Sequence, residues 1–363
     1  MWLSLKISDR FKNRKITFFN NFSIDLSHNS IGSTFGLSFY FDQNNLEHKE
    51  FACVTHYHVC ELFYDDELLL TGNILNNVFK VSSKKELATI SGYALTGVLG
   101  ASNIPPSLYP LQSDNLTLYQ IAKKLCDYFK LDIIVDPSVN SIVNSKFKTT
   151  TASATDNISD YLVELASQKN IVITHNEKGN LLFTKSNTES LPIFHFDLIN
   201  ESYPAFEFEF EINGDEMHHE ITVQRQADIL GESVNAGEYT IKNPYVLHSV
   251  RRPKVITQSS GDDIDTKLVA QRALSNELKA IKLTITLHDW KLNGKVVKPN
   301  QNISIIAPEL YIWKKTTFFI EKVTYNGNNE ELTTVLHCVL PEVYSFKTPE
   351  SMFNGINMHA LND

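Results

Sequence analysis

The stretch FEFEFEI, residues 206–212, alternates aromatic and acidic side chains and predicts a β-strand with two unlike faces. Successive side chains of a strand point to opposite sides, so the phenylalanines and Ile212 share one face, and Glu207, Glu209 and Glu211 share the other. We expect the apolar face to belong to a core. Carboxylates about 7 Å apart along a strand are tolerable only where water screens them, so we expect the acidic face to be exposed.

The composition of the chain is that of a globular protein. Its 363 residues are 42% hydrophobic and 21% charged, which suits two or three domains. The formal net charge of −9 argues against tight DNA binding, because affinity for a phosphate backbone depends on clustered Lys and Arg.

Location and redox state are also constrained by the sequence. The apolar segment in the first residues, MWLSLKISDRFKNRK, is too short and too charged for a signal peptide. No later apolar stretch is long enough to cross a bilayer. The four scattered cysteines suit reduced packing residues better than a disulfide framework. The sequence therefore predicts a soluble protein made in a cytoplasm.

The order of short patterns predicts a β unit, a small α/β unit and a second β unit. Residues 1–95 contain apolar runs of strand type separated by Asn, Ser, Gly and Asp turns, as in a barrel or sandwich. The segment KEFACVTHYHVCELFY is interpreted as one of these strands. A Gly- and Pro-rich linker then opens residues 96–186. Two helices are predicted there from apolar residues at three-and-four spacing, at 118–129 and 158–166, and each is followed by a strand.

Residues 187–346 return to strands, with one helix predicted at about 263–281 from its apolar stripe and its acidic N-terminal residues. Residues 347–363 are polar, show no clear period and are interpreted as a C-terminal tail. The predicted fold class is thus mainly β with an α+β insert: two β-barrel domains flank a small α/β domain, and the second contains one helix.

A dense group of possible zinc ligands lies in CVTHYHVC, and it consists of Cys53, His56, His58 and Cys60. On a strand, Cys53 points away from the other three, so all four cannot converge without a bulge. A three-ligand site open to water stays possible, although strand-borne His and Cys are more often packing or surface residues. His218 and His219 are neighbours that face apart on a strand. We predict neither a metal site nor a cofactor.

No catalytic motif is found in the sequence. It lacks a G-x-S-x-G elbow, a P-loop, a G-x-G-x-x-G helix start and an H-E-x-x-H pair. Its acidic turn residues are of the ordinary solvated kind, so we name no catalytic residue. The one basic cluster, in HSVRRPK at 248–254, is small and is expected to fix an interface or a turn rather than to hold DNA.

Several stretches of the chain, taken in order, resemble the baseplate hub proteins of contractile-tailed phages. These proteins form the Mu-like hub and late-control D group. Relatives of their hub domain occur at the N-terminus of type VI secretion spike proteins. The matching stretches are residues 70–102, 117–136, 157–185, 250–256, 270–308 and 318–344. The stretch at 270–308 is the most diagnostic, since an Arg-Ala helix runs into a strand ending at Trp290, followed by a Gly294 turn.

The resemblance implies a homotrimer in which each chain contributes two similar barrels to a pseudo-sixfold ring. Such a ring joins a tail tube, or its initiator proteins, to a central spike among other baseplate proteins, and DNA passes without specific binding. It also implies a virion protein assembled in the host bacterial cytoplasm. Within the matching stretches, Arg251, Arg252 and Trp290 are candidate interface residues.

For the acidic strand, the implied channel favours a lumen-facing position of Glu207, Glu209 and Glu211, because a carboxylate-lined wall repels phosphate. An ordinary solvated outer face is an equally good interpretation of these residues. The alternative function is a cell-wall or glycan-directed enzyme or binding module of a tail-tip complex.

Overall fold

The computed structural model describes residues 3–8, 14–82, 86–109, 113–153, 155–200, 203–225, 238–246, 250–258, 265–328 and 330–354. The chain forms two compact units. Unit 1 consists of Met1–Lys185 and Lys322–Thr333, and unit 2 consists of Ser186–Glu321 and Thr334–Asp363.

The described residues between 3 and 184 form twelve strands and four α-helices. The strands are β1 (Leu3–Ser8), β2 (Arg14–Ile16), β3 (Asn21–Ser27), β4 (Thr34–Tyr40), β5 (Val59–Tyr64), β6 (Glu67–Val81), β7 (Glu86–Ala94), β8 (Ser113–Asp114), β9 (Ile133–Val135), β10 (Thr149–Thr150), β11 (Val172–His175) and β12 (Leu181–Thr184). The helices are α1 (Leu46–Phe51), α2 (Leu118–Tyr128), α3 (Asn140–Val143) and α4 (Ile158–Gln168).

From residue 195 onward, eleven strands and two α-helices lie within the described ranges. The strands are β13 (His195–Asp197), β14 (Ala205–Ile212), β15 (Glu220–Arg225), β16 (Glu238–Lys242), β17 (Pro253–Gln258), β18 (Ile281–Leu287), β19 (Lys291–Leu292), β20 (Lys295–Val296), β21 (Gln301–Ala307), β22 (Ile312–Asn328) and β23 (Leu332–Val339). The helices are α5 (Thr266–Glu277) and α6 (Glu342–Ser345).

An antiparallel sheet forms the first part of unit 1. The last residues of β22, Lys322–Asn328, pair with β3, and the sheet continues through β4, β7, β6, β5, β1 and β2. In β3 and β4 every second residue is buried, and these are Phe22, Ile24, Leu26, Phe35, Leu37 and Phe39. Because apolar residues of neighbouring strands lie opposite each other on one face, that face is the core side of the sheet.

An α/β insert completes unit 1. Helix α2 begins with a capping box, in which Thr117 and Gln120 satisfy each other's backbone N–H groups, and Asn157 caps α4. Both helices bury the stripes that the sequence predicts, and they share one apolar cluster with β11 and β12. Strands β11, β12 and β9 form a three-stranded sheet in which β12 and β9 are parallel.

The two main helices of the insert end in the same way. Both α2 and α4 end just before a residue in the left-handed conformation, Lys130 with φ 57° and Asn170 with φ 55°. In each case the next N–H group donates back into the last helical turn, from Leu131 to Cys126 O and from Ile171 to Ala166 O, both at 3.0 Å. This is the hydrogen-bond pattern of a Schellman helix end, and it turns each chain segment into the following strand.

Unit 2 contains two main sheets. In the first, β14, β18 and β23 are antiparallel neighbours, while the Ile312–Ile320 part of β22 pairs with β21, which pairs in parallel with β13. The second has the order β16, β15, β17, and α5 packs against β15 and β16. Trp290, between β18 and β19, is completely buried.

Some expectations from the sequence are corrected by the structure. The segment KEFACVTHYHVCELFY is not one strand, because α1 ends at Phe51 and β5 begins only at Val59. The predicted helix at 263–281 is Thr266–Glu277 followed by a short 3₁₀ turn, and residues 263 and 264 lie outside the described residues. The segment interpreted as a tail packs on unit 2 as far as it is described: Met352 is buried, and the Phe353 and Tyr245 rings are 6.1 Å apart.

The mainly β fold class is confirmed, whereas the two-barrel arrangement stays a prediction. Among the helices of the described residues, none is both long enough and apolar enough to span a membrane.

Candidate functional surfaces

The acidic face of β14 is exposed, as the alternation predicts. Glu207, Glu209 and Glu211 lie opposite Thr286, Thr284 and Lys282 of β18. Lys282 Nζ is 3.8 Å from a Glu211 carboxylate oxygen, and both side chains are about half exposed, so this ion pair contributes little to stability. The surface therefore consists of carboxylates, hydroxyls and a single lysine, with two glutamates directly beside threonines.

The opposite face of β14 is core only in its middle. Phe208 lies 5.5 Å from the ring of Phe196, and Phe210 lies 6.1 Å from the ring of Phe318. At the ends of the strand, Phe206 and Ile212 are 53% and 39% exposed. The expectation of an apolar face within a core is therefore wrong at both ends of the strand. At Phe206 the reason is a shift of register between Ala205 and Glu207, which leaves Phe206 as the extra residue of a bulge.

A second surface, on unit 1, is polar but almost uncharged. The residues that point away from the core of the sheet form two rows across strands β22, β3, β4 and β7. The first row is Asn326, Ser23, Gly36 and Ser91, and the second is Asn328, Asn21, Ser38 and Thr89. All of them except Ser91 line a shallow depression of about 470 Å³, together with Phe22, Gly327, Glu331 and Thr333. A Cβ at Gly36 would meet nothing within 4 Å, so the floor of the depression is open. Two of the hydroxyls, those of Ser38 and Thr89, bond to each other at 2.8 Å.

The cysteine and histidine cluster does not form a ligand set. His56 and His58 precede β5 and stack on each other with ring centroids 5.4 Å apart, while Cys60 is buried in the core. Burial raises the pKa of the Cys60 thiol, which disfavours the thiolate that a metal would need. Within the described part of the chain, no three His, Cys, Asp or Glu side chains are placed to hold a metal ion.

The candidate interface residues have three different environments. Arg252 donates to Gly214 O at 2.9 Å and to Asp215 O, so it fixes a turn within unit 2. Arg251 is exposed and lines a depression of about 440 Å³ with His219, Glu220 and Pro253. Trp290 is completely buried, so it is a core residue of unit 2 and not a surface residue.

A buried ion cluster in unit 2 was missed by sequence reasoning. The Glu277 side chain, 5% exposed, accepts from the His218 N–H at 2.9 Å, contacts His218 Nδ1 at 2.8 Å and contacts Lys254 Nζ at 3.1 Å. It thereby ties the end of α5 to β17 and to the residues before β15. The sequence signal was available, since Glu277 lies four residues after Ala273 and three after Leu274, on the apolar stripe of the helix.

The largest pKa shifts do not mark an active site. Burial raises the pKa of the Cys126 thiol to about 12, and it raises the pKa values of Tyr325 and Cys338 as well. All three groups are buried, and none of them lines either depression. A strongly perturbed pKa in a cleft is the usual mark of acid–base chemistry, and neither of the two depressions described above is lined by one of these groups.

Comparison with known proteins supports the resemblance stated above. Residues 103–185, the insert of unit 1, match the family model described as baseplate hub protein gp44-like, second domain. No curated protein matches the sequence.

Solved structures extend the likeness to the whole fold. The 43 kDa tail protein of prophage MuSo2 from Shewanella oneidensis superposes with a TM-score of 0.76 at 16% identity, over 95% of this chain and 99% of that one. A tail protein from Neisseria meningitidis gives 0.75 at 16% identity, over 96% and 99%. The c3393 protein of Escherichia coli, a type VI secretion component described as similar to T4 tail proteins gp27 and gp5, gives 0.54 at 9% identity, over 93% and 76%. The resemblance to baseplate hub proteins is thus confirmed by sequence over the insert, and nearly the whole chain shares its fold with phage tail proteins.

Proposed function

We propose that the protein is a structural hub of a phage tail baseplate or related contractile injection machine. In this proposal it forms a homotrimer in which residues 1–95 and 187–346 supply two similar barrels on either side of residues 96–186. The resulting pseudo-sixfold ring joins the tail tube and its initiator proteins to the central spike, contacts other baseplate proteins and lets DNA pass. It is assembled in the host bacterial cytoplasm and ends in the virion.

The observation that carries the proposal is the extent of the fold likeness. Two tail proteins share the fold over at least 95% of this chain and 99% of their own length. The insert separately matches a baseplate hub family by sequence. A fold alone does not define a function, but here the fold and the family model indicate the same structural role.

The sheet edges support assembly into a ring. In unit 2, β14 has a paired neighbour on only one side within the described residues, and in unit 1 the same holds for β2. An eight-residue edge strand presents unpaired N–H and C=O groups that a second chain can pair with. When two different edges of one chain meet in successive copies, the contact is head to tail and closes into a ring if the rotation allows it.

The chemistry of the two exposed faces supports passage of DNA without binding. The unit 1 face offers mainly amides and hydroxyls, with the carboxylate of Glu331, and the β14 face offers carboxylates. Neither face concentrates the Lys and Arg that would retain a phosphate backbone. We propose that Glu207, Glu209 and Glu211 face the lumen and that the exposed Arg251 lies at an interface.

Light scattering of the purified chain, over a range of concentrations and with or without the co-expressed spike protein, tests the assembly. We expect a particle of three times the 41.3 kDa chain mass, and threefold rings by electron microscopy. Partner and concentration both matter because subunit association depends on them. A monomer under every one of these conditions would refute the trimer.

The glycan-directed alternative has no structural observation in its favour. It is tested by a zymogram on peptidoglycan, in which a lytic band from the pure chain would replace the hub proposal with an enzyme.

A further inference from the structure

The outer half of β6, residues 75–81, is a sheet edge, which we call the β6 edge. Strand β5 pairs with residues 67–73 of β6, whereas β7 pairs with β6 as far as Val81. Within the residues that the structure describes, the β6 edge therefore has a strand on one side only. It carries exposed apolar side chains, since Val78, Phe79 and Val81 are 59%, 45% and 76% exposed. An apolar edge of this kind is a template for pairing with another strand.

The hydrogen bonds of β7 determine which backbone groups of the β6 edge point outward. Ala94 N–H donates to Ser33 O at 2.8 Å, so the even-numbered residues of β7 bond to β4. The odd-numbered residues of β7 therefore bond to β6, where they lie opposite the even-numbered residues of the β6 edge. It follows that Asn77, Phe79 and Val81 direct their N–H and C=O groups to the open side.

Strand β14 offers a matching edge in unit 2. Asn213 N–H donates to Ala280 O at 3.0 Å in the register of the β14–β18 pair, so the odd-numbered residues of 207–212 bond to β18. Phe208, Phe210 and Ile212 therefore direct their backbone groups to the open side. Both edges thus present donors and acceptors at every second residue, with the spacing that an antiparallel ladder needs.

We propose that the β6 edge of one copy of the chain pairs with the open edge of β14 in the next copy, as two antiparallel strands. This contact, which rests on the proposed hub function, would join successive subunits of the ring. Each copy contributes one edge of each kind, so the contact is head to tail, as a ring of three copies requires. At full overlap, residues 75–81 of one copy lie opposite residues 206–212 of the other, in reverse order.

The side chains of the two edges fit each other in this register. On the exposed face Glu207 lies opposite Lys80, and on the other face the rings of Phe208 and Phe79 lie opposite each other. Opposite charges and aromatic pairs both stabilise neighbouring strands. The Phe79 ring already packs against the Phe41 ring at 5.2 Å, so it loses little freedom on pairing. The exposed charge pair contributes little, and the backbone ladder and the rings provide most of the affinity.

The same contact would join the two polar faces described above. Asn76 and Val78 of the β6 edge lie opposite Ser91 and Thr89, which belong to the polar rows of unit 1. The acidic face of β14 continues these rows across the contact and stays open to water. The two faces that we assign to the channel thus become neighbours on one surface, as a lumen shared by successive copies requires.

Other pairings of these edges fit less well. Two β14 strands would place their acidic rows opposite each other, and like charges directly opposite are destabilising. Strand β2, with three residues, is a much shorter edge. A parallel pairing would place Lys80 opposite Glu211, which already has Lys282 at 3.8 Å, and would leave Glu207 opposite Asn76.

Disulfide trapping in mixed oligomers tests the contact. Glu207→Cys, Glu211→Cys, Asn76→Cys and Lys80→Cys are made in separate chains, each also carrying Cys53→Ser because the other native cysteines are buried. Two chains with different affinity tags are co-expressed and then oxidised mildly. The matched mixtures combine position 207 with 80 and position 211 with 76. The crossed mixtures exchange the partners.

We expect the matched mixtures to give a cross-linked heterodimer of about twice the 41.3 kDa chain mass. The matched positions form non-hydrogen-bonded pairs, whose Cα atoms lie about 4.5 Å apart, within the range of a disulfide. In the crossed mixtures the positions are four residues out of register, about 13 Å along the strand, so the yield should be about 10-fold lower or less. The same four chains serve in both sets, so a defect of one variant lowers both yields alike.

Crossed mixtures that cross-link as well as the matched ones, or better, would overturn the pairing. The particle mass before oxidation separates this result from a failure of the hub proposal. An oligomer without a matched cross-link refutes only the edge contact. A monomer under every condition, the co-expressed spike included, refutes both.

If a cysteine variant does not fold, amide hydrogen exchange of the assembled wild type decides. The amides of Phe79, Phe208 and Phe210 should be protected to within about 10-fold of those of Val78 and Glu209, which bond to β7 and β18 in the single chain. Exchange of the first three at the rate of open amides would refute the pairing.

Discussion

At the scale of single residues, two glycines of unit 1 differ sharply in what surrounds them. A Cβ at Gly92 would lie 1.8 Å from Asn73 O, at the point where β6 shifts register against β7, whereas a Cβ at Gly36 would meet nothing within 4 Å. Close approach of another backbone is one of the main reasons for a glycine inside a strand.

We predict that Gly92→Ala destabilises unit 1 by about 2–3 kcal/mol or more, because β6 must move away from β7. Gly36→Ala should stay within about 1 kcal/mol of the wild type, with a slight gain in stability, because it only restricts the unfolded chain. Thermal unfolding followed by far-UV circular dichroism compares the two. Equal effects of the two substitutions would contradict the register of this strand pair.

The buried carboxylate of Glu277 provides a second residue-scale prediction. Glu277→Ala should lower the free energy of unfolding of unit 2 by about 1–3 kcal/mol, because the His218 N–H and the Lys254 ammonium lose their acceptor. Glu277→Gln should cost less, because the amide keeps one acceptor oxygen. Urea unfolding can be followed by the fluorescence of Trp290 and Trp313, which both belong to unit 2.

The control is Glu211→Gln, which removes an exposed partner of Lys282 and should change stability by less than about 0.5 kcal/mol. If Glu277→Ala behaved like this control, the cluster would not hold α5 in place.

At the scale of elements, each of the two main helices of the insert is followed by a residue whose backbone is in the left-handed conformation. These residues are Lys130 after α2 and Asn170 after α4. Lysine in this conformation costs about 1 kcal/mol relative to glycine, and asparagine costs less because its side chain tolerates it. We therefore predict that Lys130→Gly stabilises unit 1 by about 1 kcal/mol and that Asn170→Gly gains less. Lys124→Gly, on the exposed side of the same helix, should destabilise it by about 1 kcal/mol. Melting temperatures of the three variants test this order, and a loss of stability in Lys130→Gly would contradict the helix end.

Elements with strong local signals could be predicted from the sequence, and the exceptions have physical reasons. Apolar spacing identifies α2 and α4 because it depends only on residues within a few positions of one another. The segment before β5 misleads, since its apolar and aromatic residues are typical of a strand, yet Asn45 caps a short helix there. The bulge at Phe206 depends on pairing with β18, and the burial of Trp290 depends on packing within unit 2, so neither could be read from neighbouring residues.

At the scale of the whole molecule, substitutions in the acidic strand β14 can test whether the charge of its exposed face governs DNA passage. Replacing Glu207, Glu209 and Glu211 with Lys would turn a repulsive wall into one that binds phosphate and releases counterions. Because the three side chains are exposed, the fold and the oligomeric mass should not change. We predict that virions or injection particles carrying the triple variant assemble normally but retain DNA, and that raising the salt concentration relieves this retention.

The matched control makes the same charge change at three exposed glutamates on other elements, Glu47, Glu164 and Glu309. Both variants alter the net charge equally, so only the position of the charge differs between them. The fraction of DNA released per particle, measured at low and high salt, should fall for the β14 variant at low salt and stay at the wild-type level for the control. Normal release by both variants would place the acidic face of β14 outside the channel, and equal retention by both would assign the effect to net charge alone.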